Sequence, residues 1–419
     1  MDKKPKRMVP EVRFKGFTDD WEQHKLGEIT IDMYNGQTPS RNNSEFWKGN
    51  IPWLTSGELN HDIITDTVEK ITKLGQKDKH LRLIKKGTFV IAITGLEAPG
   101  TRGNCALLGI DTTINQSVMA IYPDHKKVTS DFLFDWYEKV GTEYGITYTQ
   151  GTKQQSYNVN LLSILPIMIT HNLKEQYKIS QLLKITNRLI SLQQRKLEQL
   201  KQLKTAMLQQ LLVSKKDGLI PNIRFKDFTE TWEQRKLGDV ATFSKGSGYS
   251  KSDLKSSGTP VILYGRLYTN YELVINSINT FTSAKNNSVY SKGGEVIVPA
   301  SGETAKDISI ASVVNKPNFL LGGDLNIIHP NKNIKSIFLA VSISNGETKK
   351  DMARRAQGKS IVHLHNTDLS QIKLAYPSEA EQEKIDSYFL KFDSLIALHQ
   401  CKLNQLSKMK KFCLQKMFI

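Results

Sequence analysis

The strongest constraint on this chain is that it repeats its own sequence. The twenty residues that start at Pro10 return at Pro221, 211 residues later, with 12 of the 20 positions identical. Later parts match as well: Gln150-Gly151 with Gln357-Gly358, and residues 175–179 with 381–385. This period is far too long for a solenoid repeat, so the sequence predicts two copies of one large module, each a domain followed by a helix.

Between the matching parts the two copies differ. Almost no positions match between about residues 31–150 and their counterparts, about 241–357. Constant ends around two different inserts indicate two different targets. In a chain of 419 residues, two domains of roughly 150 residues fit the usual domain size, and each can bury its own core.

The charge balance favours a polyanionic partner. The chain has 58 Lys and Arg against 41 Asp and Glu, a net charge of +17. Nucleic acid is favoured over a membrane, because no helix resembles a basic membrane anchor and no run approaches the ~18 apolar residues of a membrane span. A basic protein without such a partner is the alternative.

The cysteines and the first residues predict a cytoplasmic protein. Cys105, Cys401 and Cys413 are an odd number without paired spacing, which is typical of reduced thiols in the cytosol. Residues 1–7 are basic, but no apolar stretch follows them, so we expect no signal peptide.

A long helix is predicted at the end of each copy. Residues 175–212 contain no Pro or Gly, and apolar residues recur there at spacings of three, four and seven. This stripe describes a helix of about 38 residues, roughly 57 Å long at ~1.5 Å per residue. Residues 381–419 repeat the stripe. We expect the two helices to bury their stripes against each other as a coiled coil.

Connectivity predicts that this helix pair is antiparallel. The first helix leads from the first domain to the second, so the second helix must run back to pair along the same length. The predicted fold class is α+β: two mixed, strand-rich domains joined by two long helices that form an antiparallel coiled coil, with a pseudo-twofold internal repeat. The alternative is that each helix packs only on its own domain.

Both inserts are predicted to mix strands with a helix. Residues 130–144 have helical spacing, with Ser130 as the expected N-cap. The other predictions are strands at residues 89–93, 118–122, 295–299, 308–314 and 325–329, and a helix at about 335–344.

The loops of the inserts carry residue types that read DNA. Polar and basic side chains bind base edges, Lys and Arg neutralise phosphates, and loops are where a scaffold presents such groups. The candidate DNA-contact residues of the first copy are Gln37, Thr38, Ser40, Arg41, Thr94, Arg102, Lys153 and Gln154. Those of the second copy are Lys245, Tyr249, Lys251, Arg266, Tyr268, Ser301, Thr304, Lys306, Arg354, Arg355 and Lys359. For any single one, an ordinary solvated role is the alternative.

No motif for catalysis or metal binding stands out. Residues 95–101 have the glycine spacing of a phosphate loop but lack its Lys-Ser/Thr, which predicts a turn. The chain has no Pro-Pro, and therefore no Asp-Pro-Pro-Tyr or Asn-Pro-Pro-Phe of an amino-methyltransferase. His363 and His365 lack a third ligand, and Cys105 lacks an evident base. We expect no catalytic residue, no metal site and no bound cofactor in this chain.

The ordered, duplicated motifs resemble a known family. Each copy opens with Trp-x(4)-Leu-Gly-Glu/Asp-Ile/Val, has Gln-Gly before its exit, and starts its helix with Glu-Gln-x-Lys-Ile. Together they resemble the specificity subunit of type I restriction-modification enzymes over essentially the whole chain. The matching positions, expected to be structural or to face a methyltransferase, are Trp21, Leu26, Gly27, Gln150, Gly151, Glu175, Gln176, Ile179, Trp232, Leu237, Gly238, Gln357, Gly358, Glu381, Gln382 and Ile385.

The resemblance implies a role and partners. The inserts would be target-recognition domains that each read half of a split site in double-stranded DNA, and the helices would be spacers that dock two adenine methyltransferase subunits. Restriction subunits with translocase and nuclease activity would join them, and S-adenosylmethionine, ATP and Mg are implied for the partner subunits. The implied segments are target-recognition domains at residues 1–165 and 216–372 and spacer helices at 166–215 and 373–419.

Two other classes of function stay open from the sequence. The chain could be a nucleic-acid enzyme with an unfamiliar site, which S-adenosylmethionine binding or DNA cleavage by the isolated protein would favour. It could also be a scaffold that assembles through its coiled coil without DNA, which a lack of salt-sensitive DNA binding by the full complex would favour.

Overall fold

The computed structural model describes residues 7–98, 100–151, 155–213, 218–358 and 361–419. The chain divides into two compact units. Unit 1 contains Met1–Gln194 and Cys401–Ile419, and unit 2 contains Arg195–Gln400. Each unit therefore holds the domain of one copy and the start of its long helix, together with the end of the other copy's long helix.

Strands and helices are numbered along the chain, beginning with unit 1. The strands are β1 (Glu22–Lys25), β2 (Thr30–Asn35), β3 (Trp47–Leu54), β4 (Ile63–Ile64), β5 (Glu69–Ile71), β6 (Phe89–Ala92), β7 (Cys105–Leu108), β8 (Thr113–Ile114), β9 (Val118–Pro123) and β10 (Pro166–Ile169). The helices are α1 (Lys73–Asp78), α2 (Ser130–Thr147) and α3 (Val159–Ser163), with 3-10 turns at Leu26–Glu28, Ser44–Phe46 and Ser56–Glu58. The long helix α4 (Leu173–Leu211) starts in unit 1 and ends in unit 2.

Unit 2 continues the numbering. Its strands are β11 (Glu233–Lys236), β12 (Ala241–Lys245), β13 (Leu254–Lys255), β14 (Thr259–Ile262), β15 (Val274–Ile275), β16 (Phe281–Thr282), β17 (Glu295–Pro299), β18 (Ser301–Gly302), β19 (Ser312–Val314), β20 (Leu320–Leu321), β21 (Leu325–Pro330), β22 (Val362–His363) and β23 (Lys373–Tyr376). Its helices are α5 (Leu237–Val240), α6 (Arg266–Thr269), α7 (Ala305–Ile308), α8 (Ser336–Ser344), α9 (Gly346–Arg355), α10 (Asn366–Ser370) and α11 (Glu379–Lys416), with a 3-10 turn at Lys251–Asp253. Helix α11 starts in unit 2 and ends in unit 1.

The two inserts share one sheet topology although their sequences barely match. Unit 1 has a five-stranded sheet of order β2-β9-β6-β7-β4, and unit 2 has one of order β12-β21-β17-β19-β15. In both sheets the last pair is parallel and the other pairs are antiparallel. Strands β6, β7 and β17 are buried along their whole length. Burial of apolar side chains, rather than their identity, therefore specifies this sheet.

A smaller sheet in each insert differs by one strand. Its order is β5-β3-β8 in unit 1 and β13-β16-β14-β20 in unit 2. Strand β3 pairs antiparallel with β5 and parallel with β8, as β14 does with β16 and β20. Unit 2 adds β13 at the edge, directly after the turn that carries Lys251. The inserts are thus variants of one fold that differ at the edges, where the loops lie.

The two predicted long helices are confirmed. The predicted ranges 175–212 and 381–419 correspond to α4 and α11. Each unit contains the start of one helix and the end of the other, and in unit 2 Lys204 of α4 pairs with Asp393 of α11. Opposite ends therefore accompany each other in each unit, as the predicted antiparallel arrangement requires.

Burial along the apolar stripes is uneven. Ile179 of α4 and Ile385 of α11 are both 1% exposed, at the starts of their helices. Farther along, Leu189 and Leu203 of α4 and Leu398 of α11 are 40%, 49% and 48% exposed. The described part of the chain therefore leaves apolar surface on the middle of both helices uncovered.

One predicted strand is wrong in its first half, and one cap is misplaced. The range 308–314 is extended only in β19, because Ile308 ends the short helix α7. Thr304 caps that helix by accepting a hydrogen bond from a backbone NH, a local preference that outweighs the apolar pattern. The N-cap of α2 is Thr129, one residue before the predicted Ser130. The remaining predicted elements correspond to β6, β9, β17, β21, α2 and α8.

The predicted domain boundaries fall next to strands that tie each helix to its module. Residues 166–169 and 373–376 form β10 and β23, which pair antiparallel with β1 and β11. These strands belong to the predicted spacer segments by position and to the domains by hydrogen bonding. The division at residues 165, 215 and 372 stays a prediction.

The same buried ion pair fastens each long helix to the segment that opens its module. Glu175 of α4 accepts two hydrogen bonds from the Arg13 guanidinium, at 2.6 and 2.8 Å. Glu381 of α11 accepts the same pair from Arg224, at 2.8 and 2.7 Å. Both carboxylates are buried, and both arginines belong to the repeated twenty residues. We call residues 10–29 and 221–240 the frame segments.

The glutamine that follows each of these glutamates makes an equivalent set of bonds. Gln176 Oε1 accepts from the backbone NH of Thr129 at 3.0 Å, and its Nε2 donates to the carbonyls of Lys127 and Thr170, both at 2.8 Å. Gln382 makes the corresponding three bonds in unit 2, at 2.8, 2.9 and 2.9 Å. One buried amide thus joins the start of each long helix to the entry of α2 or α8.

Candidate nucleic-acid interface

Two predicted loops of the first copy form one surface. Thr94 and Ser156 form a β-bridge between the loop after β6 and the loop after α2. Arg102 Nη2 donates to Gln155 Oε1 at 2.7 Å, and the Gln155 NH donates to Glu97 Oε2 at 2.8 Å. The loop that carries the candidates Thr94 and Arg102 and the loop that starts at the Gln150-Gly151 motif therefore lie together. The candidates Lys153 and Gln154 lie outside the described residues.

The second copy joins its corresponding loops in the same way. Ser301 pairs with His363 in the short sheet of β18 and β22, next to the end of β17. Gln357 and His363 exchange backbone hydrogen bonds of 3.0 and 2.7 Å, as Gln150 and Ser156 do at 3.1 and 3.0 Å. The Gln-Gly motif thus closes the same loop in both copies. The candidate Lys359 lies outside the described residues.

Further loops of the second copy join this surface. The Tyr268 hydroxyl of α6 donates to the Ser301 carbonyl at 2.8 Å. Asn366 Nδ2 donates to the Ser244 carbonyl at 3.0 Å, which brings in the end of β12, next to Lys245. The structure therefore brings together the parts of the chain that carry the candidates Lys245, Tyr268, Ser301 and Thr304.

The first loop of the first copy contacts a turn that the sequence analysis missed. Thr38 Oγ1 donates to Gln116 Oε1 at 2.5 Å, and the Gly36 NH donates to the Asn115 carbonyl at 3.2 Å. Gln116 is exposed in the turn between β8 and β9. A polar Asn-Gln-Ser between two apolar runs was the available signal. Gln37 and Ser40 are exposed in the same loop.

Three of the predicted arginines are held by other side chains of the chain. Arg41 donates to both carboxylate oxygens of Glu69, at 2.5 and 2.7 Å, and its guanidinium lies 3.8 Å from the Trp47 ring centroid. This guanidinium lowers the pKa of the Glu69 carboxyl. Arg266 donates to Glu272 at 2.5 Å and its side chain is 12% exposed. Arg41 and Arg266, like Arg102, therefore organise loops through internal bonds.

Two further candidates have internal partners. Tyr249 is 8% exposed, and its hydroxyl accepts from the Lys285 NH at 2.7 Å. Arg355 pairs with Asp351 at 3.4 Å and donates to the Gln371 carbonyl at 3.1 Å. Neither side chain is presented freely to a ligand in the way the loop prediction assumed.

Four predicted cations of the second copy are free to bind an anion. Lys245, Lys251, Lys306 and Arg354 are exposed, and within the described residues none of them forms an ion pair. Burial and the neighbouring charge of Lys306 lower the pKa of Lys349.

The comparisons with known proteins match both copies. The family model described as "Type I restriction modification DNA specificity domain" matches residues 18–202 and 229–408. This chain belongs to that family. The resemblance stated from the duplicated motifs is therefore confirmed.

Individual relatives of this family match more weakly. The MjaIX type I restriction enzyme specificity subunit of Methanocaldococcus jannaschii is 25% identical over 243 residues, 56% of this chain and 55% of that protein. The chain therefore spans about half the length of the curated relative that it matches.

Solved structures share the fold. The S subunit of a type I restriction-modification system from M. genitalium has a TM-score of 0.66 at 16% identity, covering 98% of this chain and 99% of that chain. A structure that describes complex assembly and conformational transition of the type I R-M system has a TM-score of 0.53 at 17% identity, covering 98% and 99%. At these identities the likeness shows the fold, and the predicted fold class is confirmed.

Burial favours a structural role for most family motif positions. The side chains of Trp21, Leu26, Glu175, Gln176, Ile179 and their counterparts Trp232, Leu237, Glu381, Gln382 and Ile385 are all buried. Trp21 and Trp232 each pack on an aromatic ring of α2 or α8, Phe132 or Phe338, at 5.7 Å between centroids. Of the two roles left open, these positions fit the structural one.

The motif glycines lie where a side chain would collide or where the backbone is left-handed. A Cβ on Gly27 would lie 2.9 Å from Ser163 Cβ of α3, and one on Gly238 would lie 3.1 Å from Ser370 Cβ of α10. Gly151 and Gly358 have φ of 98° and 135°, which other residues rarely adopt. Both pairs therefore serve backbone geometry in the DNA specificity domain.

Cys105 has a histidine neighbour but is poorly placed for thiolate chemistry. His61 Nδ1 lies 3.6 Å from Cys105 Sγ, a neighbour that the sequence did not reveal. Burial raises the pKa of Cys105 well above its usual value, which opposes thiolate chemistry. Within the described residues, no helix combines the length and the apolar character needed to cross a membrane.

Proposed function

We propose that this chain is the DNA sequence-recognition subunit of a type I restriction-modification complex. Each insert reads one half of a bipartite, asymmetric site in double-stranded DNA. The observation that carries this proposal is the pair of specificity domains with equivalent frame bonds and different loop surfaces. Equal frames place two readers in equivalent settings, and different loops give them different targets.

The chain itself is proposed to be non-catalytic and to act in the cytoplasm. The exposed apolar positions on α4 and α11, such as Leu189 and Leu398, suit the docking of two adenine methyltransferase subunits. Restriction subunits complete the complex. S-adenosylmethionine, ATP and Mg belong to these partner subunits, and this chain contributes recognition and spacing.

The direct test is methylome sequencing of a host that expresses this chain with its methyltransferase. The expected result is methylation at one split sequence with two different halves. A host that expresses the methyltransferase alone is the control. A contiguous recognition sequence, or two identical halves, would contradict the proposal.

Exchange of one insert tests the independence of the two readers. Replacing residues 31–149 with the insert of a relative should change one half of the methylated sequence and preserve the other, because each insert has its own sheet and core. The reciprocal exchange of about 241–356 should change only the other half. If either exchange altered both halves, the readers would not be independent.

Lengthening the helices tests their role as spacers. Four residues inserted after both Gln194 and Gln400, where each helix passes from one unit to the other, add ~6 Å to each helix. At ~3.4 Å per base pair, the unspecific gap should grow by about two base pairs while both halves are kept. An unchanged gap in an active variant would show that the helices do not set it.

A further inference from the structure

The start of the first module contains a cluster of potential metal ligands. Glu22 and His24 alternate on β1 and so share a face, and His171 lies two residues beyond β10, which pairs with β1. Glu22 is directly opposite Ile169 in that pair, so His171 continues on the same face. All three belong to unit 1. The topology therefore brings two imidazoles and a carboxylate to one point at the base of α4.

The distances suit a shared ion. His171 Nε2 lies 2.7 Å and His24 Nε2 lies 3.7 Å from Glu22 Oε2. One ligand atom of each residue lies within 4.8 Å of those of the other two. Ligands at ~2.0–2.2 Å from a tetrahedral ion are ~3.3–3.6 Å apart. Small side-chain rotations therefore suffice to close the cluster around an ion.

One ring nitrogen of His24, the buried Nε2, has no hydrogen-bond partner within the described residues. His24 Nδ1 lies 3.7 Å from Glu28 Oε2, on the opposite side of the ring. A carboxylate at Nδ1 favours the tautomer whose Nε2 carries a lone pair, which is the usual arrangement behind a metal-bound histidine.

The second module has an arginine where the cluster of the first module has a histidine. At the equivalent positions Glu233 is kept, His24 is replaced by Arg235, and Ser378 stands where His171 does. Arg235 donates to Glu233 at 2.9 and 2.5 Å. The second module thus supplies its own permanent cation to this carboxylate, whereas the first module places two imidazoles beside it.

We propose that Glu22, His24 and His171 form a binding site for a divalent transition-metal ion of the Zn²⁺ class. Two imidazoles and one carboxylate suit Zn²⁺, Ni²⁺ or Co²⁺ and leave a position for water, whereas Mg²⁺ and Ca²⁺ prefer oxygen ligands throughout. The ion takes the place that the Arg235 guanidinium holds in the second module. It ties β1 to the residue pair before α4 and stabilises unit 1.

Zinc titration of the full-length protein tests the site. Cys401, an exposed thiol, is first replaced by serine so that it does not compete. We expect isothermal titration calorimetry with ZnCl₂ alone to show one equivalent bound and Zn²⁺ to raise the unfolding temperature of unit 1, because it binds only the folded site. MgCl₂ should do neither.

Single substitutions assign the ligands. His24→Gln, His171→Asn and Glu22→Gln should each weaken Zn²⁺ binding by more than the ~10–100-fold that loss of a supporting partner costs. Glu233→Gln, the matched carboxylate of the second module, and His125→Asn should bind like the parent. Circular dichroism checks that the variants are folded.

Imidazole NMR gives a readout that does not depend on stability. The ¹⁵N signals of His24 and His171 should shift on Zn²⁺ addition while that of His125 stays unchanged. Unaltered zinc affinity in both histidine variants, unmoved signals of His24 and His171, or equal binding of Mg²⁺ would each overturn the proposal. None of these outcomes depends on DNA recognition, so the site and the proposed function are tested separately.

Discussion

The two copies of the module share residue identities in the frame segments but only sheet topology in the inserts. In the frame, the residues themselves are kept: the Arg13–Glu175 pair recurs as Arg224–Glu381 with nearly the same distances. In the inserts, almost no residues are kept, yet the five-stranded sheets have the same order and directions. Buried polar bonds need particular partners, whereas an apolar sheet needs only side chains that fill it. Sequence identity between the copies therefore identifies the buried polar bonds of the frame but does not reveal the shared sheet.

This difference also separates the two kinds of charged residue in the loops. The bonded cations, such as Arg41 and Arg266, brace loop shape, whereas the exposed cations, such as Lys306 and Arg354, can meet an external anion. Whether a cation is bonded or exposed depends on whether the fold brings an acidic or carbonyl partner to it from elsewhere in the sequence. Each class of cation therefore has its own test.

The largest effect is expected from breaking the frame ion pair. Glu175→Ala leaves the Arg13 guanidinium, 12% exposed, without its carboxylate, and loss of one partner of a buried ion pair costs about 3–5 kcal/mol. Glu381→Ala should cost unit 2 a similar amount. Urea unfolding gives the loss of stability, and hydrogen exchange read by mass spectrometry identifies the affected unit.

A matched double substitution separates loss of the bond from loss of packing. Glu175→Leu combined with Arg13→Leu should recover part of the stability, because no buried charge is left unpaired. If the single variants were as stable as the parent, or destabilised the two units very differently, the frame would not be the shared anchor described above.

The next largest effect is expected on the pH dependence of stability, from a buried carboxylate at a position where the two copies differ. Asp386 lies five residues after Glu381, where α4 has Ser180 five residues after Glu175. Burial raises the pKa of Asp386 to about 7 from 3.8. The folded state thus holds a proton that the unfolded state releases, so stability is full below pH 4 and is lost as the pH rises towards 7.

Asp386→Asn should therefore stabilise unit 2 at pH 8 by a few kcal/mol, with ~4 kcal/mol as an upper bound, and should change little at pH 4. Urea unfolding of parent and variant at both pH values measures this. Ser180→Ala, at the matched position in unit 1, should leave the stability of unit 2 unchanged at both pH values. A parent whose stability did not fall between pH 4 and 7 would contradict the assignment.

The two long helices and the frame could be predicted because their signals are local. Uninterrupted apolar stripes predicted α4 and α11 to within two or three residues at each end, and duplication marked the motif positions. The shared sheet could not be predicted, since its pairs join residues far apart in sequence, such as β2 with β9. The helical turn α7 was missed because the cap at Thr304 opposes the apolar pattern.

The loops of the candidate site were predicted, but the roles of their residues were not. Composition marked the loops, and the structure joins them at Thr94 with Ser156 and at Ser301 with His363. Which cation is free depends on partners such as Glu69, 28 residues from Arg41. The Arg13 and Arg224 anchors were missed because each partner is more than 150 residues away.

A smaller effect is expected on DNA binding from the exposed cations. If Arg354 reads a base, Arg354→Ala should cost roughly 1–3 kcal/mol and relax one position of the site. Lys306→Ala, if the side chain contacts phosphate, should weaken binding to all sequences and reduce the salt slope by about 1. Binding of the complex to DNA at several salt concentrations measures both.

The bonded arginines provide the comparison for these cations. Arg41→Ala and Arg266→Ala should destabilise their loops, and faster hydrogen exchange in those loops would detect this. Lys306→Ala and Arg354→Ala should leave hydrogen exchange unchanged. Parental binding and methylation in the Lys306 and Arg354 variants, and in the Arg41 and Arg102 variants, would refute the assignment of these loops to DNA.

The smallest effect compares the two motif glycines. Gly27→Ala places a methyl group 2.9 Å from Ser163 Cβ, and Gly238→Ala places one 3.1 Å from Ser370 Cβ. Crowding of this size in a packed contact costs about 1 kcal/mol or more, and the shorter distance predicts the larger loss in unit 1.

Ser163→Gly removes the colliding atom, so in a double-mutant cycle it should offset part of the cost of Gly27→Ala, with the remainder due to the Ser163 carbonyl at 3.2 Å. Urea unfolding of the four variants in the cycle gives the coupling energy. A coupling of zero would mean that α3 moves away freely, and the close approach in the two modules would then be a consequence of the glycine rather than its reason.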